Sequence, residues 1–193
     1  MGKVYKIGLI GCGHIAETYF RAHKYFNNFK IIKCADINKF AAQKCAKTYK
    51  ISSASVNELL NDKEIQVILN LTIPNAHYLI AKKSLLNGKH VYSEKPLAVS
   101  FKDGKELIKI AKLCGCDAVK FQKRTLDVVY TKELLDSPRE SPWGTTQRQQ
   151  KEGLEFSREE YDEIDKYCEN LKIDWFASAW DIPSQKFLRD YDA

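Results

Sequence analysis

Apolar and polar positions change their spacing repeatedly along the first half of the chain, from runs of strand length to a helical repeat and back. Val4–Ile10 is a short apolar run that reads as a strand, and His14–Phe26 places its apolar residues at helical spacing. Ile31–Ala35 predicts a second strand, Lys39–Tyr49 a second helix and Val67–Leu71 a buried third strand. Pro74 stands where a first helical turn needs no amide and Gly88 supplies a stop, so Asn75–Asn87 reads as a helix. His90–Tyr92 is a short strand and Phe101–Leu113 the helix that follows. Strand and helix in succession predict an α/β fold, a doubly wound parallel sheet with helices on both faces.

The texture changes near residue 117. Ala118–Phe121 is strand-like, and a long polar stretch through Phe156, with two Ser-Pro pairs and several glutamines, reads as an irregular, functional or poorly ordered loop. Ser157-Arg-Glu-Glu160 is a capping box that opens a helix running to Leu171. Ile173–Ala177 predicts a strand and Pro183–Tyr191 a last short helix. The expected domains are 1–116 and 117–193.

Charge sharpens that division. Residues 1–116 carry 19 Lys and Arg against 8 Asp and Glu, whereas residues 117–193 carry 12 against 17. Two modules of different history fit this asymmetry. The basic residues of the first half are scattered along helix faces without interleaved aromatics, so nucleic acid is not an expected partner. No run approaches the roughly 20 apolar residues of a membrane span, and the N-terminus passes straight into a strand pattern, so a cytoplasmic protein without membrane attachment is expected. The six cysteines have no Cys-x-x-Cys spacing and lie in apolar segments, which predicts reduced core thiols and no metal site.

The strongest chemical signal is Gly11-Cys12-Gly13-His14-Ile15-Ala16, which follows the first strand and opens a helix. That context is what a Rossmann-type G-x-G-x-x-G/A match requires. Gly11 would form the tight turn, Gly13 would let a pyrophosphate approach the backbone, and Ala16 would permit close helix-to-sheet packing. The free amides and positive end of the helix would face the phosphates. Asp36 ends the second strand where an acid accepts from the adenosine ribose hydroxyls and repels a 2′-phosphate, which predicts NAD as cofactor in preference to NADP.

Asn70-Leu-Thr-Ile-Pro-Asn-Ala-His77 and Gly88-Lys-His-Val-Tyr-Ser-Glu-Lys-Pro-Leu97 resemble the glucose–fructose oxidoreductase/inositol dehydrogenase (Gfo/Idh/MocA) family over residues 3 to about 113. The resemblance implies that Lys95 lies beside nicotinamide and substrate as a catalytic lysine, and that Thr72, Pro74, Asn75 and His77 line the cofactor cleft. Glu94 would anchor the Glu-Lys-Pro segment and Pro96 would stiffen it. His14 and His77 are not expected to act as catalytic bases. Family members continue into a sheet-rich substrate domain for which the remaining residues show no pattern.

Those residues resemble a second family. Asp117-Ala-Val-Lys-Phe-Gln-Lys-Arg124, Gln147-Arg-Gln-Gln-Lys-Glu-Gly-Leu-Glu-Phe-Ser157 and Trp175-Phe-Ala-Ser-Ala-Trp-Asp181 are similar to the N-acetylneuraminate (sialic acid) synthase family from about Gly115 onward. The resemblance implies a partial (β/α) barrel-like segment with two or three of eight strands. It places Lys120 and Gln122 as catalytic groups in a phosphoenolpyruvate and sugar site, with Ser178 near the phosphate. The whole then reads as a fusion. An NAD-binding oxidoreductase domain acting on a sugar in surface-carbohydrate biosynthesis is joined to an incomplete synthase-like segment and is inactive as an isolated chain. The alternatives are a non-enzymatic NAD-sensing or interaction protein and a fragment of a phosphoenolpyruvate-dependent synthase. A sugar substrate, a homo-oligomer and a partner chain supplying missing parts are the expected partners. At the junction, Ala118–Phe121 is expected to pair beside His90–Tyr92, so that residues 4–121 form one parallel sheet.

Overall fold

The computed structural model describes residues 4–22 and 25–192, and the chain divides into two compact units, residues 1–110 and 111–193. In the first unit, β1 (Tyr5–Ile10), β2 (Phe29–Ala35), β3 (Ser52–Ser53), β4 (Val67–Asn70) and β5 (His90–Ser93) form one parallel sheet in the order β3-β2-β1-β4-β5. The intervening helices are α1 (His14–Ala22), α2 (Lys39–Tyr49), α3 (Val56–Asn61) and α4 (Pro74–Leu86), and α5 (Phe101–Leu113) follows β5. The sheet grows from β1 to β2 on one side and restarts at β4 on the other, so the topological switch point lies between β1 and β4.

Consecutive residues of each buried strand serve opposite faces, which is why the strands are apolar throughout. Leu9, Cys34 and Leu69 pack with Ala16 and Phe20 of α1 and Cys45 and Ala46 of α2. Their neighbours Ile10, Ala35 and Ile68 pack on the other face with Leu59 and Leu60 of α3. Burial of a side chain such as Leu59 is worth about 1.5–3 kcal/mol. The short β3 and α3 are absent from the sequence expectation. The capping box in which Ser55 accepts from the Glu58 amide and Glu58 from the Ser55 amide marks the start of α3. The helix expected over His14–Phe26 is seen as α1 up to Ala22, and residues 23 and 24 of that expectation lie outside the described residues.

The second unit corrects two expectations. Ala118–Phe121 does not join the first sheet: β6 (Ala118–Lys123) pairs in parallel with β9 (Asp174–Ala179) over six positions, from Ala118 opposite Asp174 to Lys123 opposite Ala179. The reason is an aromatic core that only this pairing builds. Phe121 and Trp175 meet at 6.1 Å, Phe121 and Phe156 at 6.0 Å, and Tyr161 and Trp175 at 5.7 Å between ring centroids. Tyr161 lies on α9 (Arg158–Leu171), the helix preceding β9, so β6, α9 and β9 form a parallel strand–helix–strand unit, as a (β/α) barrel-like segment requires.

The stretch expected to be irregular is also folded. It contains α6 (Leu126–Val129), α7 (Lys132–Asp136), a hairpin of β7 (Pro138–Ser141) and β8 (Gly144–Thr146), and α8 (Gln147–Glu152). Local side-chain bonds hold these elements where apolar periodicity is too weak to announce them. Thr131 caps α7, Thr146 and Gln149 form a capping box, and Arg148 pairs with Asp127. The unit closes with α10 (Ile182–Leu188) and a 3₁₀ turn at Arg189–Tyr191.

Candidate functional site

The glycine turn leaves β1 at the switch point. Gly11 has φ of +103°, which favours glycine, and a Cβ there would lie 2.5 Å from the carbonyl of Leu71, so glycine is what lets this turn press against the end of β4. The Gly11 amide donates to Ala35 at 2.9 Å and the Leu71 amide to Ile10 at 2.8 Å, tying the ends of β1, β2 and β4 together. Gly13 has open space where its Cβ would be, as a pyrophosphate lying across the turn requires. His14 and Ile15 are exposed at the start of α1, and buried Ala16 lets that helix close on the sheet.

Asp36 stands half-buried at the end of β2. Its Oδ2 accepts from the Cys12 amide at 2.7 Å and its Oδ1 from the Asn38 amide at 2.8 Å. A carboxylate offers about four lone-pair sites, so both oxygens retain capacity for a ribose diol. These residues fit a dinucleotide, with an open glycine cradle, a helix N-terminus and a held, partly exposed acid.

The other half of the cleft hangs on Asn70, fully buried at the end of β4. Its amide donates to the His77 carbonyl at 3.1 Å and to Ser93 Oγ at 3.0 Å, while its Oδ1 accepts from Thr72 Oγ1 at 2.7 Å. His77 is 1% exposed, with Nδ1 2.6 Å from the Pro96 carbonyl oxygen and Nε2 2.8 Å from that of Thr72. Both ring nitrogens are engaged, so His77 braces the loop after β4 against the Glu-Lys-Pro segment from within the core. Pro74 opens α4 and Asn75 is exposed beside it. Glu94 accepts from the Tyr19 hydroxyl at 2.5 Å, an anchoring contact between α1 and the segment after β5. Burial first, and then the Glu94 carboxylate, push the Tyr19 hydroxyl above its ordinary range. Lys95 is exposed and its amine has no ion pair or hydrogen bond among the described residues.

Sequence reasoning missed Asn70 and Tyr19 as organisers, although Asn70 opens one of the motifs. It also missed that Cys12, Cys34 and Cys45 converge, their sulfurs all within 4.8 Å of one another. The Cys12 thiol donates to the Ala35 carbonyl at 3.5 Å and the Cys34 thiol to the Ala42 carbonyl at 3.4 Å, while the neighbouring sulfurs raise the Cys12 thiol, through Cys34 and then Cys45, and lower Cys45, through Cys12 and then Cys34.

In the second unit Lys120 and Gln122 share one face of β6, with Phe176 and Ser178 opposite them on β9. Lys120, Phe176 and Ser178 are exposed and Gln122 half-buried, whereas the other face of the pair holds the aromatic core. The structure thus brings Lys120, Gln122 and Ser178 together on an open face. Arg124 is buried just beyond β6. Its Nε donates to Glu155 Oε1 at 2.6 Å and its Nη1 to the Tyr130 hydroxyl at 2.9 Å.

A parallel sheet with a glycine turn at its switch point, a helix N-terminus beyond it and an acid ending the second strand defines a dinucleotide-binding domain. The chain belongs to the Gfo/Idh/MocA family, described as an oxidoreductase family with an NAD-binding Rossmann fold, whose model matches residues 5–119; NAD is the cofactor of this domain. Residues 107–193 match the NeuB family. The inositol 2-dehydrogenase of Salmonella typhimurium is 29% identical over 139 residues, 68% of this chain and 41% of that protein. The N-acetylneuraminate-9-phosphate synthase of Drosophila melanogaster is 41% identical over 86 residues, 44% of this chain and 23% of that enzyme. The WlbA dehydrogenase of Bordetella pertussis, crystallised with NADH and UDP-GlcNAcA, superposes with a TM-score of 0.56 at 25% identity, over 58% of this chain and 33% of that one. The chain therefore spans about a quarter of the synthase and less than half of either dehydrogenase. No helix among the described residues is long and apolar enough to cross a membrane.

Proposed function

We propose that this polypeptide is the NAD-binding half of an oxidoreductase acting on a sugar derivative, joined to a synthase-like segment, and that the 193 residues alone bind cofactor without turning over either parent reaction. The observation that carries the first part is the bracket of Gly11, Gly13 and Asp36 at the switch point. NAD, when bound, supplies the hydride acceptor. The glycine turn and the start of α1 hold its pyrophosphate, Asp36 its ribose, and Lys95 stands free to orient or deprotonate a substrate hydroxyl. The WlbA relative bound to NADH and a nucleotide sugar supports a sugar-derived substrate.

Inactivity follows from positioning. Holding a substrate against the nicotinamide accounts for about 7–11 kcal/mol of barrier reduction, and Lys95 alone cannot supply that hold. On the synthase side, Lys120, Gln122 and Ser178 form one open strand face that a barrel would enclose with further strands. Completion by a partner chain, homologous or not, fits this picture. The assay is turnover of NAD with sugar nucleotides, and phosphate release from phosphoenolpyruvate with N-acetylmannosamine, by the purified chain. No turnover is expected from either. Turnover lost on Lys95→Ala or Lys120→Ala, respectively, would overturn the proposal.

A further inference from the structure

Cys12, Cys34 and Cys45 come from the glycine turn, β2 and α2, three places far apart in sequence that the first sheet brings to one point. No two of the three sulfurs are more than 4.8 Å apart. A metal ion bound at about 2.3 Å by each of three thiolates would space them about 4 Å apart, so small side-chain adjustments suffice. Cys34 and Cys45 are 0% and 7% exposed, and Cys12 is half-buried.

Donor chemistry selects the ion. The group contains only sulfur, with no histidine or carboxylate among its donors, and it belongs to the core cluster of Leu9, Ala46, Leu69 and Leu71, with the Asp36 carboxylate held by the Cys12 amide. Hard cations need oxygen, and zinc in a structural site needs four donors. A soft monovalent cation is satisfied by two or three thiolates.

We propose that Cys12, Cys34 and Cys45 form a binding site for a soft monovalent cation of the Cu(I) type, a ligand class distinct from the dinucleotide. Each thiol that coordinates gives its proton to solvent and its sulfur lone pair to the ion, with no change in oxidation state. Because Cys12 lies between Gly11 and Gly13 and its amide holds Asp36, an ion on its sulfur stiffens the cofactor turn, and occupancy of the two sites is linked.

The test is an anaerobic titration of the reduced full chain with Cu(I) in competition with bicinchoninate, a chromophoric Cu(I) chelator. One ion retained per chain is expected, with X-ray absorption showing sulfur neighbours only. Cys12→Ser and Cys45→Ser should each weaken retention at least tenfold, and the double variant Cys114→Ser/Cys116→Ser should leave it unchanged. Far-ultraviolet circular dichroism of each variant reports whether it is folded, and Cys12→Ser, at the half-buried position, serves if Cys45→Ser is not. The proposal fails if the unaltered chain yields all copper to the chelator, so that the thiols serve only as small apolar packing groups. It also fails if retention survives Cys12→Ser and Cys45→Ser, if it depends on Cys114 and Cys116, or if Zn(II) is retained and Cu(I) is not.

Discussion

Asp36 shows how one side chain joins fold to specificity. Its carboxylate holds the Cys12 and Asn38 amides, so it shapes the turn before it meets any ligand. Hydrogen bonds to a charged group are worth about 1.5–3 kcal/mol, so Asp36→Ala is expected to weaken NADH roughly tenfold or more and to narrow the gap to NADPH, which the unaltered chain is expected to bind less tightly. Fluorescence titration with both cofactors checks this. Arg124 and Glu155 are a different case, a pair whose side chains are 3% and 11% exposed. Removing one partner strands the other charge, so Glu155→Ala should destabilise the second unit by about 3–5 kcal/mol, while Arg124→Met together with Glu155→Leu should recover much of the loss. Urea melts of the single and double variants measure the difference.

At the scale of elements, α10 depends on its cap. Burial works against a charge on Asp181, but the Thr125 and Ser184 amides and the Ser184 hydroxyl outweigh it and hold the carboxyl below its ordinary range. A depressed carboxylate stabilises the fold above its unfolded value, near pH 4, and that stability drains away as pH falls through the lower folded value. Thermal melts followed by tryptophan fluorescence should therefore show midpoints falling below about pH 4, with a shallower fall in Asp181→Asn. Trp143, Trp175 and Trp180 all lie in the second unit, so the signal is local to it. The pairing of β6 with β9 is tested by Phe121→Ala, which removes a ring 8% exposed between Trp175 and Phe156 and should cost about 3–5 kcal/mol.

For the molecule as a whole, two compact units carry two sets of family features, a cofactor cleft in one and an open strand face in the other. Cofactor binds the folded first unit and not its unfolded chain, so NADH at about a hundred times its dissociation constant should add about 2.7 kcal/mol to that unit. Hydrogen exchange should show this as slower exchange at residues 10–17, 36–38 and 70–77. Unchanged exchange there would count against the cleft as the cofactor site.

The local signals that needed no partner were readable from the chain. The glycines, the acid closing β2, the proline opening α4 and the capping box before α9 act within a few residues of themselves, so their spacing announces them. The apolar runs likewise foretold a doubly wound parallel sheet, because a strand covered on both faces has little room for polar residues. Tertiary structure decided whatever depended on residues distant in sequence. An edge strand carries no mark of its neighbour, so Ala118–Lys123 suited the first sheet by length and order, yet its Phe121 ring found Trp175 and Phe156 and it paired with β9. Short elements stapled by side-chain bonds, such as α7 and α8, lack a period and read as loop. The convergence of Cys12, Cys34 and Cys45, and the bracing of the cleft by Asn70 and His77, exist only once β1, β2 and β4 lie side by side, because cysteine spacing along a chain says nothing of which strand ends will meet.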